Sequence, residues 1–301
     1  MNHLVIIAGP TAAGKTELAI RIAQHLNTEI ISADSRQFYS EISIGTSKPT
    51  EEQLSRVKHY FAGNLSIHND YNAGLFEKEA LQCMETIFRS HQTAVMVGGS
   101  GLYLKAASEG FDSLPQKDAE LRAQLESELE TRGLAALGEK LKTLDPEFYE
   151  TVDRSNPQRV IRAIEICLIS GMKYSELRKN SNIRERDFSV LKIGLSMDRK
   201  ELYARIDKRV DEMMLLGLLQ EASGLLPLRH LNALQTVGYT ELFDHLEGKT
   251  SLETAVELIK RNTRRFAKRQ MTWFKRDPEI HWFQPQQEDE IIRLIEEKIK
   301  E

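Results

Sequence analysis

Cysteine is nearly absent from this sequence. Cys83 and Cys167 are the only two in 301 residues, and they lie far apart. That excludes a cysteine-rich zinc module and a disulfide framework, and fits a reducing compartment. No apolar run approaches the roughly 20 residues of a membrane span. The apolar opening Leu4–Ala8 is short and lacks a basic leader, so it is expected to be a first strand, not a signal peptide, in a cytoplasmic protein. There is no global excess of positive charge either: the net charge is −4. Affinity for nucleic acid must therefore come from a local patch. The remaining composition, 41% hydrophobic and 29% charged, is that of an ordinary globular protein long enough for one large domain or two modest ones.

The most informative stretch is Gly9-Pro10-Thr11-Ala12-Ala13-Gly14-Lys15-Thr16. Leu4-Val5-Ile6-Ile7-Ala8 before it reads as a buried strand, and Leu18, Ala19, Ile22, Ala23 and Leu26 after it recur at helical spacing. Strand, glycine-bounded loop and helix are the context in which G-x-x-x-x-G-K-[ST] is a P-loop, the motif of nucleotide-binding proteins. Its amides and the helix N-terminus suit a di- or triphosphate. Lys15 can neutralise phosphate oxygens and the Thr16 hydroxyl can ligate Mg2+. A plain strand-to-helix turn would not need both. The loop specifies phosphate, not the molecule that carries it.

A second strand, Glu29–Ala33, leads into Asp34-Ser35-Arg36-Gln37, placing polar groups at the strand's C-terminal edge, where α/β proteins bind ligands. Asp34 is either a candidate for chemistry or a turn cap. Ile42–Pro49 reads as a loop, a lid or a simple connection, with Thr50 capping the next helix. Asn72–Arg89 is amphipathic. Ala94–Val97 is a third buried strand ending in Gly98-Gly99-Ser100-Gly101, without the acid that a motor NTPase places there. From Lys117 to Arg178 the chain turns helical and charged, over Ala119–Thr131, Leu134–Leu144 and Pro157–Ile169. Arg159 and Arg162 are either solvated or anion-contacting. Val190–Leu195 returns to strand, and Asp198 caps a helix with Arg205 and Arg209 at i and i+4. These either share an anion or leave Arg205 to Glu201. From Lys260 to Arg276 no acid interrupts Arg264, Arg265, Lys268 and their basic neighbours, while Phe266, Trp273 and Phe274 are interleaved. Basic groups beside aromatics suit a nucleic-acid backbone and its bases. The expected fold is α/β: a P-loop NTPase-like core with a parallel sheet flanked by helices, in two parts (1–115 and 186–301, the second with the basic C-terminal helix), and an all-helical insertion (116–185).

Taken together, the P-loop, Asp34-Ser35-Arg36-Gln37, Ile44–Pro49, Gly98–Tyr103, Asn156–Ala163, Arg205–Val210, Val237-Gly238-Tyr239 and Lys268–Trp273 resemble the bacterial tRNA dimethylallyltransferases over nearly the whole chain. The resemblance implies transfer of a dimethylallyl group from dimethylallyl diphosphate to the exocyclic amine of the adenine 3′ of the anticodon, with Mg2+ and with that base flipped out. It implies that Gly9 to Thr16 grip the diphosphate, that Arg209, with Arg205, stabilises its charge, and that Asp34 accepts a proton or hydrogen bond from the amine. It also implies that Ser35, Arg36 and Gln37 hold the base, that Ser100 contacts the tRNA, and that Gln158, Arg159, Val160, Ile161, Arg162 and Arg122 touch the anticodon stem. Ser100 stands where the family usually has threonine, which keeps the hydroxyl. Val57-Lys58-His59-Tyr60 lacks the family's paired histidines, and Phe61–Asn64 departs from its usual continuation. The zinc finger of the eukaryotic relatives is missing. A monomer is expected. Two other readings share the P-loop: a small-molecule or nucleotide kinase, which does not need the basic helix, and a nucleotide-gated RNA-binding protein, which would need an acid after the third strand.

Overall fold

The computed structural model describes residues 1–110, 114–115, 117–179 and 185–300. It divides into two compact units: Met1–Ser108 with Arg186–Glu301, and Glu109–Glu185.

In chain order the first unit begins β1 (Asn2–Ala8), α1 (Lys15–His25), β2 (Ile30–Ser32), α2 (Glu51–Arg56), β3 (His59–Tyr60), α3 (Ala73–Phe88), β4 (Thr93–Gly98) and α4 (Gly101–Glu109). The second unit holds α5 (Ala119–Leu144), α6 (Pro146–Thr151), α7 (Pro157–Ser170) and α8 (Tyr174–Lys179). The first then resumes with β5 (Phe188–Leu195), α9 (Arg199–Leu215), α10 (Leu218–Leu225), α11 (Tyr239–Leu246), α12 (Leu252–Phe274), β6 (His281–Phe283) and α13 (Glu288–Lys300).

Among the described residues the six strands form one sheet, ordered β3-β2-β4-β1-β5-β6, with every pairing parallel. A parallel sheet is covered on both faces, so its central strands are largely apolar. β1 shows this directly. Leu4 and Ile6 face a core completed by Phe76 and Met84 of α3 and Leu104 of α4, while Val5 and Ile7 face Leu18 and Ile22 of α1 and Ile291 of α13. A third core, around the buried Tyr239, joins α9, α10, α11 and α12. β3 was not foreseen: two residues are too short to show a period.

Among its described residues the second unit is built of helices, with no strand. Its core is built on Leu125, Leu137, Phe148, Val160, Ile161 and Ile164. Gly133, at φ 77° and ψ 170°, interrupts α5 where the expected pair of helices meets. Asp145 is wholly buried; its carboxylate caps α6 through Phe148 N–H and also accepts from Ser175 N–H and hydroxyl. Asn156 caps α7 and Gly171 ends it in the left-handed region. No helix among the described residues is long and apolar enough to cross a membrane.

Candidate functional site

Three strand ends meet at one edge of the sheet. Ala8 of β1 lies beside Gly98 of β4, and Ser32 of β2 beside Val97. The P-loop, the Asp34–Gln37 turn and the Gly98–Gly101 turn therefore emerge together, at the carboxyl edge where open α/β sheets bind ligands. A cavity of about 770 Å³ opens there. That volume lies inside the usual range for small-molecule sites, about 300–1,000 Å³. Its walls include Lys15 and Thr16, Asp34, Arg209, and Arg265 and Arg269 of α12.

The P-loop is shaped by its glycines. Gly14 caps α1 at φ 89°, a left-handed geometry that costs other residues energy. Lys15 Nζ donates to the Pro10 carbonyl at 2.7 Å. Arg209 reaches in from α9, its Nη1 donating to the Thr11 hydroxyl at 3.2 Å. Burial pushes the Lys15 ammonium down to about 8; Asp34 opposes the fall and Arg209 adds to it. Burial also lowers Arg209, against the pull of Glu212 and Asp34. A guanidinium starts so high that Arg209 stays charged. The result is two cations held partly out of water with one carboxylate nearby, an electrostatic well for a polyanion.

Asp34 sits in a turn at the cavity. Its Oδ1 accepts the Arg36 N–H at 3.1 Å, as a turn residue does, and it lines the cavity. Ser35 is tied to Ser100: Ser35 N–H donates to Ser100 Oγ at 2.9 Å, which donates to Ser35 Oγ at 3.2 Å. Ser100 thus clamps the Asp34 turn to the turn after β4, and it is not one of the cavity's lining residues. Arg36 donates to the Asn232 carbonyl at 2.9 Å.

Several expectations are corrected. Arg205 does not line the cavity that Arg209 enters, and its guanidinium pairs with Glu201 at 2.8 Å one turn earlier. Arg264 bonds Asp207 and Lys260 bonds Asp211 at 2.7 Å, so acids of α9 neutralise part of the basic run that looks uninterrupted in sequence. Lys268 is exposed, and Arg265, Phe266 and Arg269 face the cavity, with the Arg269 guanidinium 5.8 Å from the Phe266 ring centroid. In the second unit Val160 and Ile161 are 0% exposed, so their side chains belong to the core and cannot touch a partner. Arg122 and Arg162 converge on the buried Glu165, at 3.5 and 2.7 Å. Arg122 also bonds Gln158. Arg159 is exposed.

One functional residue was missed. Gln270 of α12 is buried; its Oε1 accepts the Thr11 N–H at 2.8 Å and its Nε2 donates to the Gly99 carbonyl at 2.9 Å. It locks the P-loop to the second glycine turn. The signal was present: Gln270 shares a helix face with Ala267 and Phe274, and a polar residue on a core face needs partners.

The sequence model of the IPP transferase family matches residues 37–277. The tRNA dimethylallyltransferase of Christiangramia forsetii is 51% identical over 299 residues, 99% of each chain. This chain belongs to the IPP transferase family. Among its relatives is also tRNA dimethylallyltransferase 1 of Bacteroides fragilis, 49% identical over 99% of this chain and 98% of that one. The crystal structure of the full-length tRNA isopentenylpyrophosphate transferase of Bacillus halodurans superposes with a TM-score of 0.73 at 35% identity, covering 100% of this chain and 97% of that one. A eukaryotic dimethylallyltransferase, crystallised acting on tRNA, gives 0.77 at 29% identity over 91% of this chain and 70% of its own.

Proposed function

We propose that this IPP transferase family member transfers the dimethylallyl group of dimethylallyl diphosphate to the N6 amine of the adenine 3′ of the anticodon in tRNA, releasing diphosphate. The observation that carries the reading is the single cavity shared by Lys15, Arg209 and Asp34, with the cationic and aromatic face of α12 in its wall. In this reading the adenine amine attacks the allylic carbon bonded to diphosphate, and the carbon–oxygen bond breaks. The charge gathering on the leaving group is met by the P-loop amides, Lys15 and Arg209. Asp34 accepts the proton that the amine gives up. The donors at the P-loop mouth, the Thr16 hydroxyl and the Asp34 carboxylate, are hard oxygens of the kind magnesium prefers. Mg2+ held there through Thr16 would neutralise diphosphate charge.

The tRNA would meet Arg265, Lys268 and Arg269 of α12 at the first unit, and the exposed Gln158 and Arg159 at the second, with the protein acting as a cytoplasmic monomer. The kinase reading shares the P-loop and Asp34, but assigns no role to the α12 side chains in the cavity wall. Labelled dimethylallyl diphosphate with undermodified tRNA, run beside an ATP-consumption assay, decides. Label entering tRNA supports the transferase, whereas ATP turnover without label transfer defeats it.

A further inference from the structure

Glu221, half-buried on α10, is not one of the cavity's lining residues, and the reaction above gives it no part. Yet its carboxylate is the hub of a wall of that cavity. One oxygen accepts the N–H groups of Ser43 and Ile44, both at 2.9 Å. The other accepts Gly45 N–H at 3.0 Å and the Tyr239 hydroxyl. The loop so gripped supplies Gly45, Thr46, Ser47 and Pro49 to the cavity. The Tyr239 ring presses on it so closely that a Cβ at Gly45 would lie 2.5–2.6 Å from ring atoms.

The loop in turn holds the reacting turn. Gln37 donates both amide hydrogens to it, to the Thr46 carbonyl at 3.1 Å and the Ser47 carbonyl at 3.0 Å. Gln37 N–H also closes the turn by donating to the Asp34 carbonyl at 3.2 Å. A continuous chain of hydrogen bonds therefore runs from Glu221 through loop 43–47 and Gln37 to the backbone of Asp34. Three converging backbone N–H groups call for an anion, whose hydrogen bonds are roughly twice as strong as neutral ones.

We propose that Glu221 is a positioning residue for the nucleobase side of the site: it sets the cavity wall at 43–47 and, through Gln37, the placement of Asp34, while leaving the diphosphate side untouched. This rests on the transferase reading. The test is Glu221→Gln, which keeps the shape but turns an NH2 group toward backbone N–H donors. A misplacement of about 1 Å costs on the order of a hundredfold in rate. Turnover per active site at saturating tRNA is therefore expected to fall about a hundredfold, with dimethylallyl diphosphate affinity within about twofold of wild type. Amide hydrogen exchange at Ser43, Ile44 and Gly45 should quicken about tenfold or more, with P-loop exchange unchanged. Unchanged turnover per active site, an equal loss of diphosphate affinity, or unaltered exchange at 43–45 overturns the proposal. If Glu221→Gln does not fold, Tyr239→Phe removes one bond while keeping the ring against Gly45. It should show a smaller loss of turnover with the same sparing of diphosphate affinity, and no loss overturns the proposal. A wild-type protein inert in transfer would defeat the transferase reading instead, and the exchange comparison would still judge Glu221's hold on the loop.

Discussion

Lys15 should make both ligand binding and stability depend on pH, in opposite senses. Its ammonium falls from 10.5 to about 8, chiefly by burial. In the free site it is about nine-tenths charged at pH 7 and about one-tenth charged at pH 9. The terminal phosphate of a diphosphate ester loses its last proton near pH 6, so above pH 7 only the lysine changes. If the charged lysine is the binding form, the Kd for dimethylallyl diphosphate should weaken by about tenfold from pH 7 to pH 9. For stability the sign reverses. Between pH 8 and 10.5 the unfolded chain holds this proton and the folded one does not, so stability rises with pH across that window. At pH 7 the full shift corresponds to about 3 kcal/mol of destabilisation. Lys15 keeps some surface on the cavity side, so screening by water reduces this to about 1–2 kcal/mol. Lys15→Met should therefore bind diphosphate weakly and without pH dependence, yet resist denaturant better at pH 7 and lose that advantage near pH 10.5. Titration calorimetry and urea unfolding at pH 7, 8 and 9 test both halves. A wild-type affinity that is flat over this range, or a slope that persists in Lys15→Met, refutes the reasoning.

Asp34→Asn keeps the turn but cannot take a proton; turnover should drop about 10²–10⁴-fold with tRNA affinity within about twofold. An unchanged rate would remove Asp34 from the chemistry. Replacing Arg265, Lys268 and Arg269 with alanine should flatten the slope of log affinity for tRNA against log salt by about 2, at roughly 0.7 per single-strand phosphate contact. Arg264→Ala should leave that slope alone, because Asp207 already holds the charge; the opposite ranking would refute the placement of the tRNA face. Glu165→Ala strands Arg122 and Arg162 around a buried hole and should destabilise the second unit by about 3–5 kcal/mol. A loss below about 1 kcal/mol in denaturant unfolding would show that the pair needs no buried partner.

What could be read without coordinates was whatever depends on near neighbours in the chain. Thr50 and Asp198 cap the helices that follow them, because a cap bonds N–H groups two or three residues ahead. The P-loop was legible for the same reason: its strand, glycines, lysine and helix lie within one short stretch. The break at Gly133 and the stop at Gly171 follow from what glycine alone tolerates. Where a charge finds its partner is another matter. Asp207 neutralises Arg264 and Glu165 draws in Arg122 across tens of residues, and only packing brings them together. Whether Arg205 or Arg209 enters the cavity turns on the rotation of one helix against the sheet edge, and the spacing of four permits either. Gln270 and Glu221 organise the site through backbone groups of distant loops. Backbone N–H and C=O groups are the same in every residue but proline, so no pattern of side chains announces which of them a buried amide or carboxylate will hold.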